Sequence, residues 1–279
     1  HLNVSFPHIQ VANIAPDTRP RKVKKIVADV LVAQGFSETI TFSLINQKDL
    51  EKSGKGDLTT MPLLNALSAE HNILRPSLLP SLLKVAAMNF NHGQKNLKLF
   101  EIGKRYFIDG EKSTLAILAT GRRGHDWRNN SKDAVDFFDV KGVMDQVYSK
   151  LGVPEMFDAK NIVKISKTVL QQWDIKAGDV YFVEIDLHPI FAKEKPVVKF
   201  EALMGFPAIH RDISVAVKRD VAYGAMEQTA YKLGADILKR VDLIEEYVGD
   251  KIEKGQRGLV FSLVYQHQER TLREEEVQQ

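Results

Sequence analysis

The chain has 279 residues, 44% of them hydrophobic and 27% charged, with a net charge of +3 and no cysteine. That length permits two domains with separate cores, and the missing cysteines exclude disulfides, thiolate zinc sites and thiol nucleophiles. With 39 basic against 36 acidic residues, any nucleic-acid contact has to come from a local patch; no apolar run approaches the ~20 residues of a membrane span and no signal peptide is visible, so a cytoplasmic address without a membrane partner is expected.

The chain opens on HLNVSFPHIQ without a methionine and reads as part of a longer polypeptide. Residues 1–20, punctuated by Pro7, Pro16 and Pro20, read as an extended connector from an upstream domain. Residues 21–33 predict an amphipathic helix with Val23, Ile26, Val27, Val30 and Leu31 on one stripe and Gly35 ending it. Its opening run RPRKVKK sits unfavourably at the positive end of the helix dipole, and reads either as a solvated face or as a phosphate contact. Residues 38–44 alternate Ile40, Phe42 and Leu44 against threonine and serine, predicting a half-buried strand; residues 61–67 predict another. LRPSLLPSLLKVAAMNFNHG predicts a helix with Pro80 in its first turn, Gly93 at its end, and Leu82, Leu83, Ala86, Ala87 and Phe90 on its buried side.

Residues 97–108 and 113–120 predict an antiparallel strand pair joined by the turn DGEK. GRRGHDWRNNSKD follows as a polar, basic loop whose only large apolar residue is Trp127. Residues 137–151 predict a second amphipathic helix, and residues 180–187 and 197–204 two strands separated by HPIFAKEKP. Antiparallel strands with helices set between them make an α+β domain over residues 21–204. The last quarter, 205–279, predicts a strand at 212–218, a helix at 224–238, strands at 241–248 and 257–265, and a helix opening at Leu272. That β-α-β-β-α order is most of a ferredoxin-like split βαβ module. In its first strand Ile213, Val215 and Val217 alternate with Ser214, Ala216 and Lys218, which predicts one packed face and one open face.

The chemistry-bearing motifs are missing together. The eight histidines show no metal-ligand spacing, and there is no GxGxxG, GxxxxGK[ST] or GxSxG. The residues therefore yield no catalytic residue and no metal ligand.

The words FPAIHRD, EEYVGDKIEKGQRGL and ERTLREEEV, with NALSAEHNILRPSLLPSLL, LKLFEIGKRYF and FFDVKGVMDQV upstream, resemble the bacterial phenylalanyl-tRNA synthetase beta subunit from about Arg21 to the end. The resemblance implies a class II synthetase-like antiparallel sheet domain without chemistry of its own, then a ferredoxin-like anticodon-binding domain. It implies a catalytic alpha subunit as partner in an α2β2 heterotetramer and tRNA(Phe) as the nucleic acid. It also implies ATP and Mg as cofactors of the holoenzyme, with none in this chain. A class II site clamps the ATP phosphate with an arginine beside a glutamate on a central strand. Here LKLFEIGKRYF has Glu101 but Leu99 two positions before it, and VYFVEIDL and VVKFEALM carry no arginine, so the phosphate clamp is expected to be absent.

For the anticodon module, Ser214 and Ala216 on the first strand, with Ser262 and Gln266 on the third, are expected to leave room for an unstacked base to lie flat on the backbone. Arg211, Lys218, Arg219, Arg270 and Arg273 sit at the strand ends as candidate phosphate contacts. Tyr247, Tyr265 and His267 are candidates for stacking, although Tyr265 alternates with Leu259, Phe261 and Leu263 and reads more readily as core. Two other readings stay open: a stand-alone class II-like ligase, and a protein-interaction module on the same fold that binds no RNA.

Overall fold

The computed structural model describes residues 18–66, 68–124, 132–193, 200, 203–247, 252–253 and 255–277. The connector at its start, the Trp127 loop and most of the strand expected at 197–204 lie outside them; Phe200, Leu203 and Met204 are described and are not in a strand. The chain divides into two compact units, His1–Val197 and Val198–Gln279.

In the first unit the elements run α1 (Arg19–Ala33), β1 (Ser37–Glu38), β2 (Leu44–Ile45), α2 (Gln47–Lys52), β3 (Met61–Pro62), β4 (Ile73–Leu74) and α3 (Leu79–Asn91), then β5 (Leu97–Phe107), β6 (Gly110–Thr120), α4 (Phe137–Leu151), β7 (Ile162–Lys164), α5 (Lys167–Gln172), β8 (Val180–Asp186) and α6 (His188–Ala192). A five-stranded sheet in the order β1-β5-β6-β8-β7 forms its centre. Every pairing in it is antiparallel except β1 with β5. Because side chains alternate across a strand, β6 buries residues on both faces from Ser113 to Thr120. Phe100, Leu115, Ile117, Val183 and Ile185 pack with Val23, Val27 and Leu31 of α1 and Val140, Met144 and Val147 of α4. Leu97, Leu99, Leu118, Val180 and Phe182 pack with Leu78, Leu79, Leu82, Leu83 and Ala86 at and within α3, and with Leu170 and Trp173 beside α5.

Local chemistry sets the helix ends. Thr18 is the N-cap of α1, which starts two residues earlier than the stripe alone indicates, and Gly35 takes a φ of 82° just past its end. The start of α4 is a capping box: the Asp136 side chain accepts from the backbone N–H of Phe138 and Asp139, and the Asp139 side chain accepts from the N–H of Asp136. Arg123 pairs with both carboxylates. Burial works to raise the Asp139 pKa, but the Asp136 N–H and the Arg123 guanidinium win and hold it below the usual carboxylate range.

The strand expected at residues 38–44 does not form. Two short pieces, β1 and β2, flank a segment in which Thr39 and Thr41 bond to the sheet while Ile40 is 93% exposed and Phe42 76% exposed. The alternation is present with its faces exchanged, as a one-residue change of register produces. Between 61 and 66 only β3 is strand, and Leu67 lies outside the described residues.

The second unit is an antiparallel sheet with the helix α7 packed on one side, completing an α+β chain. Its elements are β9 (Ile209–Lys218), α7 (Tyr223–Gly234), β10 (Leu238–Tyr247) and β11 (Gln256–Tyr265), with strand order β10-β11-β9. Leu238, Val241, Leu259, Phe261 and Leu263 form the core with Tyr223, Met226 and Ala230 of α7 against them, and the Tyr223 ring stacks on Phe261 at 5.8 Å. Two expectations are corrected here. The α-helix stops at Gly234, not Leu238: a Cβ on Gly234 would stand 2.4 Å from the Leu238 Cβ, because the chain doubles back through a 3-10 turn into β10. After Leu272 there is a short 3-10 turn, Glu274–Val277, in place of an α-helix. Glu276 there reaches back to Arg270 and to the N–H of Arg273.

Asp136→Ala should lower the stability of the first unit by about 1 kcal/mol, read as a shift of its urea midpoint with an unchanged m-value.

Candidate functional site

On the α3 side of the larger sheet, Glu101 of β5, Ala116 of β6 and Glu184 of β8 lie in one row across the strands. Arg75, two residues before the turn into α3, reaches this row. Its Nη2 donates to Glu101 Oε1 at 2.8 Å, its Nη1 to Thr41 Oγ1 at 2.7 Å and its Nε to the Lys104 carbonyl at 3.1 Å. Thr41 Oγ1 in turn donates to Glu101 Oε2 at 2.7 Å. Gly103 makes the approach possible, since a Cβ there would stand 2.4 Å from Arg75 Nη2. At the other end of the row, Glu184 accepts from the Leu78 N–H at 2.7 Å, from Ser77 Oγ and from Arg105 Nη1 at 3.2 Å, while Arg105 Nε donates to Thr114 Oγ1.

The pairing of arginine and glutamate that sequence spacing fails to find is therefore present in space. Arg75 escapes a search along β5 because it lies 26 positions before Glu101. It is not a phosphate clamp in this form. The side chain is 2% exposed, and each guanidinium nitrogen already has a protein acceptor, so the paired donors that a phosphate needs are committed. Among the described residues no group of three or more His, Cys, Asp or Glu side chains could hold a metal, and no helix is long and apolar enough to cross a membrane.

In the second unit, residues directly opposite in antiparallel strands share a face. Ser214 stands opposite Val260, Ala216 opposite Gly258, Asp212 opposite Ser262 and Lys218 opposite Gln256. Ser214, Ala216 and Ser262 are thus brought together on the side away from α7. Tyr247 joins them across Gly258. Strict alternation from Val241 and Leu243 would aim Tyr247 at the core. A bulge between Leu243 and Glu245 shifts the register and turns it outward, as bulges do. Its hydroxyl lies 2.8 Å from Ser214 Oγ, and a Cβ on Gly258 would stand 2.4 Å from its ring. Gly258 is the residue the sequence reading passed over; a glycine inside a strand pattern is the signal for close approach. Tyr265 packs against the core.

The basic candidates separate into two ends of a sheet about 30 Å long. Lys218 and Arg219 lie at one end, where the Arg219 N–H donates to the Gly255 carbonyl. At the other end most groups are occupied. Arg211 shares its side of β9 with the core residues, opposite Leu263, and pairs with Glu274 at 3.0 Å. Arg270 grips Glu276 at 2.8 and 2.6 Å; that bond, helped by the Arg273 N–H, holds the Glu276 pKa down to about 2, so the pair stays ionised at neutral pH. Gln266 Nε2 donates to the Phe206 carbonyl, and His267 Nδ1 accepts from the Glu269 N–H.

Residues 2–164 match the family described as phenylalanyl tRNA synthetase beta chain CLM domain. The chain belongs to the phenylalanyl-tRNA synthetase beta chain family. Residues 205–279 match the ferredoxin-fold anticodon binding domain. Among relatives of the beta chain, the phenylalanine–tRNA ligase beta subunit of Carboxydothermus hydrogenoformans is 31% identical over 90% of this chain and 35% of its own length. That of Thermotoga maritima is 28% identical over 91% of this chain and 35% of its own. The chain thus spans about a third of the length of these curated relatives. A pyrrolysyl-tRNA synthetase of Desulfitobacterium hafniense superimposes with a TM-score of 0.46 at 17% identity, over 61% of this chain and 66% of that one.

Arg75→Met leaves Glu101 buried without its cation and should cost about 3–5 kcal/mol, read from urea unfolding by tryptophan fluorescence. Adding Glu101→Leu should cost less than the two single changes together, and a simple sum would show that the pair is not coupled.

Proposed function

We propose that this chain is the part of a phenylalanine–tRNA ligase beta subunit that holds the catalytic alpha subunit in an α2β2 assembly and receives the anticodon arm of tRNA(Phe). The observation that carries the reading is the outward face of β9 and β11, where Ser214, Ala216, Gly258 and Ser262 stand away from the α7-covered core. Small side chains over an extended backbone admit a splayed base, whose edge can hydrogen-bond to hydroxyls and whose face can stack on an aromatic ring. Lys218 and Arg219 at the rim supply phosphate contacts, while Arg211 and Arg270 are already neutralised by glutamates. The assembled enzyme, working in the cytoplasm, joins phenylalanine to its tRNA with ATP and Mg as cofactors of the holoenzyme. With Arg75 and Arg105 tied to Glu101 and Glu184, the larger sheet of this chain activates no amino acid by itself.

The segment between β1 and β2 supplies a surface for the alpha subunit. Thr41 and Arg75 anchor it from beneath and so hold Ile40 and Phe42 outward beside Met88 of α3, which is itself exposed. A second reading, an interaction module that binds no RNA, draws on the glutamates that occupy Arg211 and Arg270.

The isolated chain should show no phenylalanine-dependent ATP–pyrophosphate exchange; exchange without a partner would overturn the scaffold reading. It should bind a tRNA(Phe) anticodon hairpin, and Ser214→Trp should weaken that binding by at least about tenfold through loss of one stacked base. Protection of the hairpin that is absent, or unmoved by Ser214→Trp, favours the second reading. Lys218→Ala and Arg219→Ala should each lower the slope of log K against log salt by about 0.7. Phe42→Glu should leave the urea midpoint of the chain unchanged and weaken its association with the alpha subunit by roughly thirtyfold or more.

A further inference from the structure

The Tyr247 ring crosses the three strands at one level of the outward face. It is rooted on β10, lies directly over Gly258 of β11, and is tied by its hydroxyl to Ser214 of β9 at 2.8 Å. Gly258 is buried beneath it, while the ring remains 38% exposed. A flat aromatic ring resting on bare backbone, with a polar rim bonded to a neighbouring hydroxyl, makes the same set of contacts that an unpaired nucleobase makes on such a sheet. The place a base requires is thus already filled by the chain's own phenol. Any base lying flat against this backbone has to move the ring, and among the described residues the hydrogen bond to break is the exposed one to Ser214.

We propose that Tyr247 is an internal stand-in for a nucleobase. In the free chain it covers Gly258; one unpaired base of the RNA displaces it, takes over the Ser214 hydroxyl through its edge, and receives the Tyr247 ring on its outer face. The proposal rests on the anticodon reading above and adds a specific order of events to it. Because the ring swings about χ1 of an exposed side chain and no backbone is rebuilt, the exchange needs no change of fold. The lid also explains the bulge at Ile244: without it the ring would lie beneath α7 and could neither cover the face nor stack on an arriving base.

The test uses the whole chain and a tRNA(Phe) anticodon hairpin, with a hairpin of the same stem and an abasic loop as control. In the free chain the Gly258 Hα proton resonance should be shifted upfield by the ring; Tyr247→Leu should abolish that shift, and saturation with the intact hairpin, but not the abasic one, should change it. Tyr247→Phe keeps the stacking surface and loses the tie to Ser214, so it should bind the intact hairpin about threefold to tenfold more tightly. Tyr247→Ala should bind it at least about tenfold more weakly. Hairpin binding that leaves the Gly258 resonance unmoved, or weaker binding by Tyr247→Phe, overturns the stand-in alone. Failure of the wild-type chain to bind the intact hairpin at all overturns the anticodon reading and the stand-in with it.

Discussion

The first unit depends on one buried ion pair. Arg75 and Glu101 meet between a helix and the sheet at 2.8 Å, with almost no exposure of either side chain. Removing two such charges from water costs several kcal/mol for each, an amount that their attraction repays only if the remaining donors and acceptors are also satisfied. Thr41 and the Lys104 carbonyl complete that set. The pair is therefore best understood by what it aligns: the segment before β2, the approach to α3 and the middle of β5 are held in one register by a single guanidinium. Thr41 turns inward to accept from that guanidinium, Thr39 to bond the Phe100 carbonyl, and Ile40 and Phe42 are left outside.

The same pairing of arginine and carboxylate appears in the second unit with a different consequence. Arg211 and Arg270 each face a glutamate at or near the surface, where water screens the attraction and each pair contributes little to stability. Their effect is to quieten one end of the small sheet electrostatically. At the far end Lys218 and Arg219 stand exposed beside Asp220 and Glu253, with Arg257 there paired to Glu246. A chain with nearly balanced charge can still direct a polyanion, because what matters is how its cations are distributed over the surface.

How much of this was legible in the sequence follows from the range of the interactions involved. The bounds of α4 are those that its apolar stripe predicts, because Asp136 and Gly152 close it locally. The order of β9, α7, β10 and β11 was equally plain from alternation and period. Most of what failed was set from a distance. The faces of residues 38–44 depend on Arg75, and the pairing of Arg75 with Glu101 crosses from loop to strand; the end of α7 turns instead on a close local contact, Leu238 meeting Gly234, that the helical period does not reveal. The candidate set on the small sheet was named largely by residue type, and residue type does not tell that Arg270 is held by Glu276 or Gln266 by the Phe206 carbonyl. The glycine at 258 was visible in a strand pattern, and its meaning was legible only once Tyr247 was seen lying on it.

The irregularity in β10 makes chain length, and not only composition, a carrier of information. Ile244 has no cross-strand partner: Leu243 faces Phe261 and Glu245 faces Val260. Pairing Ile244 into the ladder would exchange the sides on which Tyr247 and Glu246 emerge, hiding the aromatic and presenting a carboxylate in its stead, whereas deleting it would leave Glu245 opposite Val260 and Tyr247 opposite Gly258. Point substitutions along this strand are a mild perturbation by comparison. One residue inserted between Glu245 and Tyr247, by contrast, would turn the ring to the core side.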